Sequence, residues 1–439
     1  MSRTGITATA IRIPSVRPLQ IAIFICLVLS PYVPAWMLSA GMVSVVVLLA
    51  ADPFSRGPAP LLMPGAGLFF LILAVGLAGS PGNATYDIAK DVWYVGNALL
   101  TLLLGYLIVR RTKDVQAIFL TMALAAAVVS LAHVMHFVID PSLLLQSLTD
   151  IRAQAGTGYL ISAVGVTLAL ADLRFRLGIF RSRWLLGAVA VLCLASIVLS
   201  LSRTAWLVLL TLTSVTALNV SFSNLVRAGA ALIPAIALLL MAAELDLPAE
   251  GPAESPTFSQ KVSASLRELR VSEYETKAEI NRHWRGFESY RSLQEYGAGS
   301  TLGRIFGKGF GSFVDLGFIM TLADEEFDRI PVLHNGYLYL LVKTGLAGLT
   351  AYLLYLVLLF RRGRLLTSMP DAQTRFSGLL LIALTVVMIE TTLVIAGMFN
   401  RDWVYPATLL TGVLLGHSES VPRKDGRGHD DGAAAPGAA

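Results

Sequence analysis

Two side chains have types and positions that favour chemistry at a membrane surface: Arg203 and His334. Arg203 lies in the polar break of a long apolar stretch, Ser200-Leu201-Ser202-Arg203-Thr204. A guanidinium at a bilayer edge either extends to lipid phosphate or belongs to a built anion site, because its planar donors bind phosphate through two hydrogen bonds. His334 precedes another apolar stretch, where an imidazole serves either as a general base near neutral pH or as a structural contact.

Two further motifs precede His334. The glycine-rich run Gly307–Phe313 lacks the GxxxxGK(S/T) spacing of a phosphate-binding loop, so a tight turn where backbone approaches backbone or ligand is favoured. The acidic cluster Asp324–Asp328 fits a divalent cation or a solvated face. The solvated face is favoured because adjacent carboxylates alone do not form an oxygen-donor pattern.

Ionisable residues inside apolar segments are functional hypotheses by default. His133, His136 and Asp140 follow one another at intervals of one helical turn, but this spacing favours a polar interior contact over a metal site. Glu390 is expected to pair with an arginine such as Arg401. We predict no bound metal and no cofactor.

The composition indicates a membrane protein: 55% of the 439 residues are hydrophobic and 14% are charged, with a mean hydropathy of +0.68. A soluble domain typically has about 25% charged residues. Cys26 and Cys193 lie in apolar runs and do not suggest a disulfide framework. Arginines precede the first apolar run, but no small-residue cleavage site follows, so we expect that run to be a retained helix.

Segments approaching the roughly 20 apolar residues of a membrane span predict an all-α polytopic protein of about twelve transmembrane helices. Trp184–Val220 must be a hairpin with its turn near Arg203, because one helix of that length would run to about 55 Å across a core of about 30 Å. The predicted spans are Leu19–Trp36, Met37–Ala51, Leu61–Leu77, Val92–Val109, Val115–Val138, Tyr159–Leu173, Trp184–Leu201, Thr204–Val220, Val226–Ala243, Gly336–Phe360, Phe376–Met398 and Trp403–Leu415.

The distribution of Lys and Arg predicts the orientation. Alternating spans from an inside N-terminus leave nineteen basic residues inside and four in the short outer loops, namely Lys90, Arg152, Arg203 and Arg401. Positive charge is retained on the cytoplasmic side. Residues 1–243 would then hold spans one to nine, 244–333 a large and mostly helical outer loop, 334–416 spans ten to twelve, and 417–439 a disordered cytoplasmic tail.

The net charge of +5 combines two opposite parts. Residues 244–333 carry ten basic and fifteen acidic side chains, whereas the remainder is strongly basic and faces anionic lipid. This distribution predicts membrane lipid as a partner and gives no reason to expect nucleic acid. Between Ser259 and Tyr296 the dense charge with sparse apolar residues predicts amphipathic helices lying over the membrane.

Three motifs together resemble the O-antigen ligase and polysaccharide polymerase family. They are the turn Leu199–Trp206, the run Gly307–Gly311, and His334–Leu341 followed by Gly345-Leu346-Ala347-Gly348. Their order, their spacing and the large loop before the tenth span fit the family. The motifs cover roughly Leu185 to Phe360, and the span count covers the whole chain.

The resemblance implies a metal-independent glycosyltransferase on the periplasmic face of the bacterial inner membrane. The donor would be an undecaprenyl-diphosphate-linked glycan, and the acceptor lipid A–core or another glycan. His334 would be the general base. Diphosphate would be bound by Arg203 and by a loop arginine, Arg285 or, second, Arg282. The substrate-binding residues would be Asn335, Tyr337, Ser202 and Trp206.

The residues also leave alternatives open. A ligase and a repeat-unit polymerase of the same family share these features. A small-anion transporter is less favoured, because the sequence gives no clear broken helix with paired ionisable residues at mid-membrane. A non-catalytic assembly subunit is the third alternative.

Overall fold

The computed structural model describes residues 18–51, 63–146, 148–156, 160–216, 271–272, 274, 276–322, 325–399 and 405–421. The molecule is predominantly helical. Its helices are α1 (Pro18–Leu29), α2 (Ala35–Ala51), α3 (Ala66–Ala78), α4 (Thr85–Thr112), α5 (Val115–Ile139), α6 (Leu148–Ala155), α7 (Leu160–Phe175), α8 (Arg183–Leu199), α9 (Arg203–Thr216), α10 (Lys277–Arg282), α11 (Trp284–Ala298), α12 (Thr301–Phe306), α13 (Gly336–Thr367), α14 (Ala372–Ile395) and α15 (Tyr405–Ser418).

Among the described residues, four helices are long and apolar enough to cross a membrane: α4, α5, α13 and α14. The protein is therefore a helical, membrane-embedded protein. The four helices support fewer spans than the twelve predicted. Seven other predicted spans coincide with shorter helices, namely α1, α2, α3, α7, α8, α9 and α15. The predicted ninth span, Val226–Ala243, lies outside the described residues.

The break predicted within the Trp184–Val220 stretch is present, because helix α8 ends at Leu199 and α9 begins at Arg203. The reversal of the chain at this break stays a prediction. Leu201 adopts a left-handed backbone conformation with φ 47°. The Ser202 hydroxyl then caps α9 by accepting from the Ala205 N–H at 3.4 Å, as a serine before a helix commonly does.

In the part of the chain that the structure describes, the segment between α12 and α13 forms a small sheet, which the sequence did not lead us to expect. Its two antiparallel strands are β1 (Val314–Leu322) and β2 (Glu325–Ile330). In the first strand, buried Val314, Leu316 and Met320 are separated by residues that are exposed or partly exposed. That alternation is the period of a half-buried strand, so the signal for β1 was present in the sequence.

The predicted tenth span is broken rather than continuous. Gly345 within α13 has φ 61° and ψ −163°, values that no helix contains. The glycine-rich run fits into this break: the Lys308 N–H donates to Val342 O, and the Gly309 N–H donates to Lys343 O, each at 2.9 Å. The loop thus supplies donors to carbonyls of the broken helix.

Close backbone contact explains the glycines of the run. An added Cβ at Gly307 would lie 2.4 Å from the carbonyl of Lys343, and one at Gly309 would lie 2.1 Å from the carbonyl of Gly79. The Phe310 ring packs where Gly76 of α3 has no side chain, and the Phe310 N–H donates to Gly76 O at 2.9 Å. The prediction of a tight turn where backbone approaches backbone is confirmed.

Replacing Gly309 by Ala should destabilise the protein by more than about 1 kcal/mol, since the residue has φ 79° and its new methyl would overlap the Gly79 backbone. Gly297→Ala is the matched control, because a Cβ there meets no atom within 4 Å and alanine favours the helical backbone of α11. Thermal unfolding of the two purified variants in one detergent measures the difference. Equal midpoints would contradict the tight packing of the run.

Candidate functional site

His334 is fixed at the start of α13 by its neighbours. The Asn335 side-chain oxygen caps the helix by accepting from the N–H groups of Tyr337 at 3.1 Å and Leu338 at 3.2 Å. The Ala396 N–H, just after α14, donates to the carbonyl of His334 at 2.5 Å. The backbone around the histidine is held from two sides, while its side chain remains 48% exposed.

A buried carboxylate binds both the backbone and the ring of His334. Glu288 of α11 accepts from the His334 N–H through Oε1 at 3.0 Å, and its Oε2 lies 2.9 Å from Nδ1 of the ring. The Glu288 side chain is only 3% exposed. Burying a carboxylate is costly unless donors surround it, and His334 provides two of them.

Glu288 was not among the residues predicted from the sequence, although one signal was available. It lies on the buried side of α11, next to Phe287 and one turn before Ser292. A carboxylate on the apolar side of an amphipathic helix needs a partner. Identifying the partner required the fold, because 46 residues separate the glutamate from the histidine.

Of the two loop arginines, Arg285 lies on the same helix as Glu288, three residues earlier, and residues at that spacing are neighbours on a helix surface. Arg285 is partly buried, and its carbonyl accepts from the Ser289 hydroxyl at 2.8 Å. Arg282 ends the preceding helix, α10, and its side chain lies outside the described part of the structure. The structure thus brings Arg285 near the Glu288–His334 pair and leaves its preference over Arg282 a prediction.

Arg203 begins α9 directly after a hydrogen-bonded turn. The Arg152 guanidinium of α6 donates to Leu201 O at 3.0 Å, and the Ser202 N–H donates to the Ser200 hydroxyl at 3.2 Å. Ser202 is buried and its hydroxyl caps the helix, while Trp206 is partly buried against the core. These contacts give Ser202 and Trp206 a structural role. The predicted contact of these two residues with substrate stays a prediction.

Helix α14 connects the Arg203 helix with His334. The Thr211 hydroxyl of α9 lies 2.8 and 3.0 Å from the two carboxylate oxygens of Glu390 and hydrogen-bonds with that carboxylate. On the side of α13, which begins just after His334, the Tyr337 hydroxyl donates to Ile389 O of α14 at 3.1 Å. Arg203 lies eight residues before Thr211, which is about 12 Å of helix. The two predicted residues therefore lie on helices that share α14 as a neighbour.

Among the described residues, Glu390 hydrogen-bonds with Thr211. Its predicted partner Arg401 lies outside the described residues, so that pairing stays a prediction. On α5, the buried His133 places Nδ1 2.9 Å from the Ser196 hydroxyl, which confirms the polar interior contact. His136 is exposed, and Asp140 binds Ser142, so these three residues do not converge.

A buried ion pair lies beside the break in α13. Lys343 Nζ is 2.7 Å from Asp91 Oδ2, and both side chains are at most 3% exposed. Asp91 also accepts from the Gly311 N–H at 2.6 Å and from the Tyr339 hydroxyl at 2.8 Å. Lys343 donates in addition to Ser312 O. Nothing in the sequence indicated this pair, because Asp91 and Lys343 are 252 positions apart in the chain.

No family model and no curated protein matches the chain. The likeness to the O-antigen ligase family therefore rests on the three motifs alone.

Removing one partner of the buried pair should destabilise the protein strongly. Asp91→Ala leaves the Lys343 ammonium without its carboxylate, and isolated buried charges of this kind cost about 3–5 kcal/mol. Lys343→Met should cost less, since Asp91 keeps the Gly311 and Tyr339 donors. Thermal unfolding in detergent measures both.

The double variant Asp91→Ala with Lys343→Met is the control, because it removes both charges. It should be more stable than Asp91→Ala alone. A double variant at least as unstable as the sum of the two single variants would show that the pair has no favourable coupling.

Proposed function

We propose that the protein is a membrane glycosyltransferase that moves a glycan from a polyprenyl diphosphate carrier to an acceptor hydroxyl on the outer face of the membrane. One observation carries the proposal: the buried carboxylate of Glu288 holds the exposed ring of His334 where the loop meets α13. Arg285 lies one turn from that carboxylate. A general base beside a cation suits transfer from an anionic leaving group.

Each of these residues has a defined role in the reaction. The acceptor oxygen attacks the anomeric carbon while His334 takes its proton, and the bond from that carbon to the diphosphate oxygen breaks. The leaving diphosphate keeps the electron pair and needs stabilisation of charge rather than a proton. Arg203 and Arg285 supply that charge, so the transfer proceeds without a divalent cation. A single displacement inverts the anomeric centre.

The proposal includes the twelve-span topology. With both termini in the cytoplasm of a bacterial inner membrane, the Arg203 turn and residues 244–333 lie on the periplasmic side. The shared neighbour α14 supports this placement, because Thr211 contacts Glu390 while Ala396 contacts His334. In this topology α9 and α14 run antiparallel, so Arg203 and His334 lie toward the same end of α14.

The first test is transfer by the purified protein. His334→Ala should lower the rate about 10²–10⁴-fold, the usual contribution of a general base. Arg203→Ala and Arg285→Ala should each lower it about 10²–10³-fold, by analogy with the loss of one donor to a developing anion. Undecaprenyl diphosphate glycan with lipid A–core or a glycan acceptor is the substrate pair.

Two variants are matched controls for these changes. His136→Ala removes an exposed histidine from α5, and Arg291→Ala removes an arginine from the same helix as Arg285. Arg291 binds Asp315 O and Gln294. Both controls should transfer at close to the wild-type rate. Full surface polysaccharide in cells whose membranes contain normal amounts of His334→Ala protein would overturn the mechanism, and loss of activity with a chelator would overturn its metal independence.

Ligase and polymerase give different products in a deletion strain. Lipid A–core without glycan, together with polymer left on the lipid carrier, indicates a ligase. A single repeat unit on lipid A–core indicates a polymerase, the alternative within the same family.

A small-anion transporter is a second candidate, favoured by the break in α13 beside the Asp91–Lys343 pair. In many transporters the carbonyls at such breaks coordinate the transported ion. Here the carbonyls of Val342 and Lys343 accept from the loop instead, which favours a structural role for the break. Uptake of an anion into vesicles without any glycan donor would support transport.

A further inference from the structure

In the hydrogen bond between the carboxylate of Glu288 and the ring of His334, the donor and the acceptor can be assigned. Ionised carboxylate oxygens only accept hydrogen bonds, so the contact of 2.9 Å requires Nδ1 to carry the hydrogen. In the neutral ring the lone pair then lies on Nε2. Nε2 is accordingly the nitrogen that can remove a proton from a hydroxyl.

The second carboxylate oxygen of Glu288 restricts the rotation of the carboxylate. Because Oε1 accepts from the His334 backbone N–H at 3.0 Å, the carboxylate cannot turn away from the ring without losing a second hydrogen bond. Helix α11 and the start of α13 are thereby joined by one side chain. A carboxylate that merely neutralised a surface histidine would not need the backbone contact.

Proton transfer from a substrate requires a ring that the substrate can reach, and of the two side chains it is the ring of His334 that is exposed. Glu288 is 3% exposed and His334 is 48% exposed, so the carboxylate is shielded while the ring remains accessible. When the ring takes up a proton it becomes a cation beside a carboxylate that water screens weakly. The pair therefore stabilises the charged ring that forms during transfer, as the buried aspartate does in hydrolase triads.

We propose that Glu288 is the positioning residue of the site, holding His334 in the tautomer whose Nε2 accepts the acceptor's proton. This inference rests on the proposed transfer function for its rate effect, and on geometry alone for the tautomer. Since Arg285 lies three residues before Glu288, docking of α11 onto α13 also sets the position of the arginine.

Glu288→Gln is the informative variant because it preserves the shape of the side chain. The amide oxygen can keep the His334 N–H while the amide NH₂ faces Nδ1, which then has to accept. The hydrogen moves to Nε2, and the base is lost. In the purified transfer assay kcat should fall about 10²–10⁴-fold with KM nearly unchanged.

Glu295→Gln is the matched control on the same helix. Glu295 binds Lys308 and the Asp315 N–H, and it makes no described contact with His334. It should keep kcat within about twofold of wild type, a change of about 0.4 kcal/mol in the barrier. An unchanged kcat in Glu288→Gln, with the wild type active, would overturn the proposal.

A measurement without substrate separates this proposal from the proposed function. In ¹⁵N-histidine-labelled protein in alkaline buffer, the ring signals of His334 are assigned by their loss in His334→Gln. The wild type should carry the hydrogen on Nδ1, and Glu288→Gln should carry it on Nε2. A hydrogen on Nε2 of the wild type would overturn the proposal even if transfer occurs. The expected tautomers in a wild type without transfer activity would uphold the pairing and reject the glycosyltransferase.

Discussion

The break of α13 at Gly345 is the constraint on which the rest of the site depends. Backbone polar groups within a membrane must find partners inside the protein, because lipid offers none. The chain meets this requirement with the amides of Lys308 and Gly309, which donate to Val342 and Lys343. A loop segment has thus become part of the helix packing, and its glycines are needed because any side chain would keep the two backbones apart.

This anchoring explains how residues far apart in the chain meet. The ion pair of Asp91 and Lys343, with the Gly311 N–H, ties α4, α13 and the loop together. Once the loop is fixed there, the short α12 and the hairpin of β1 and β2 connect it to α11 and to the start of α13. Glu288 then reaches His334. The buried charges of Asp91 and Lys343 thus set the position of the loop, and the loop in turn sets the position of the exposed His334 ring.

Much of the helical framework could be predicted from local patterns. Apolar length predicted the helices, and one polar interruption predicted the break at Ser200–Arg203, because these features depend on neighbours in the sequence. The partners of Lys343 and His334 could not be predicted this way, since each pairing depends on packing between distant segments. The sheet went unpredicted for a different reason: its alternation was visible, but the charged residues around it favoured helix or loop. The resemblance suggested His334 and Arg285, and the structure added Glu288, which contacts His334 and lies on the same helix as Arg285.

The glycine-rich run that fits into the break of α13 has a consequence for the order in which the protein assembles. Chains are synthesised from the N-terminus, so Asp91 and the glycine-rich run are both translated before Lys343 exists. The hydrogen bonds of the run with Val342 and Lys343 can form only once α13 has been made, and Asp91 gains its lysine only after most of the chain has been synthesised. Closing this part of the site therefore joins an early and a late part of the polypeptide.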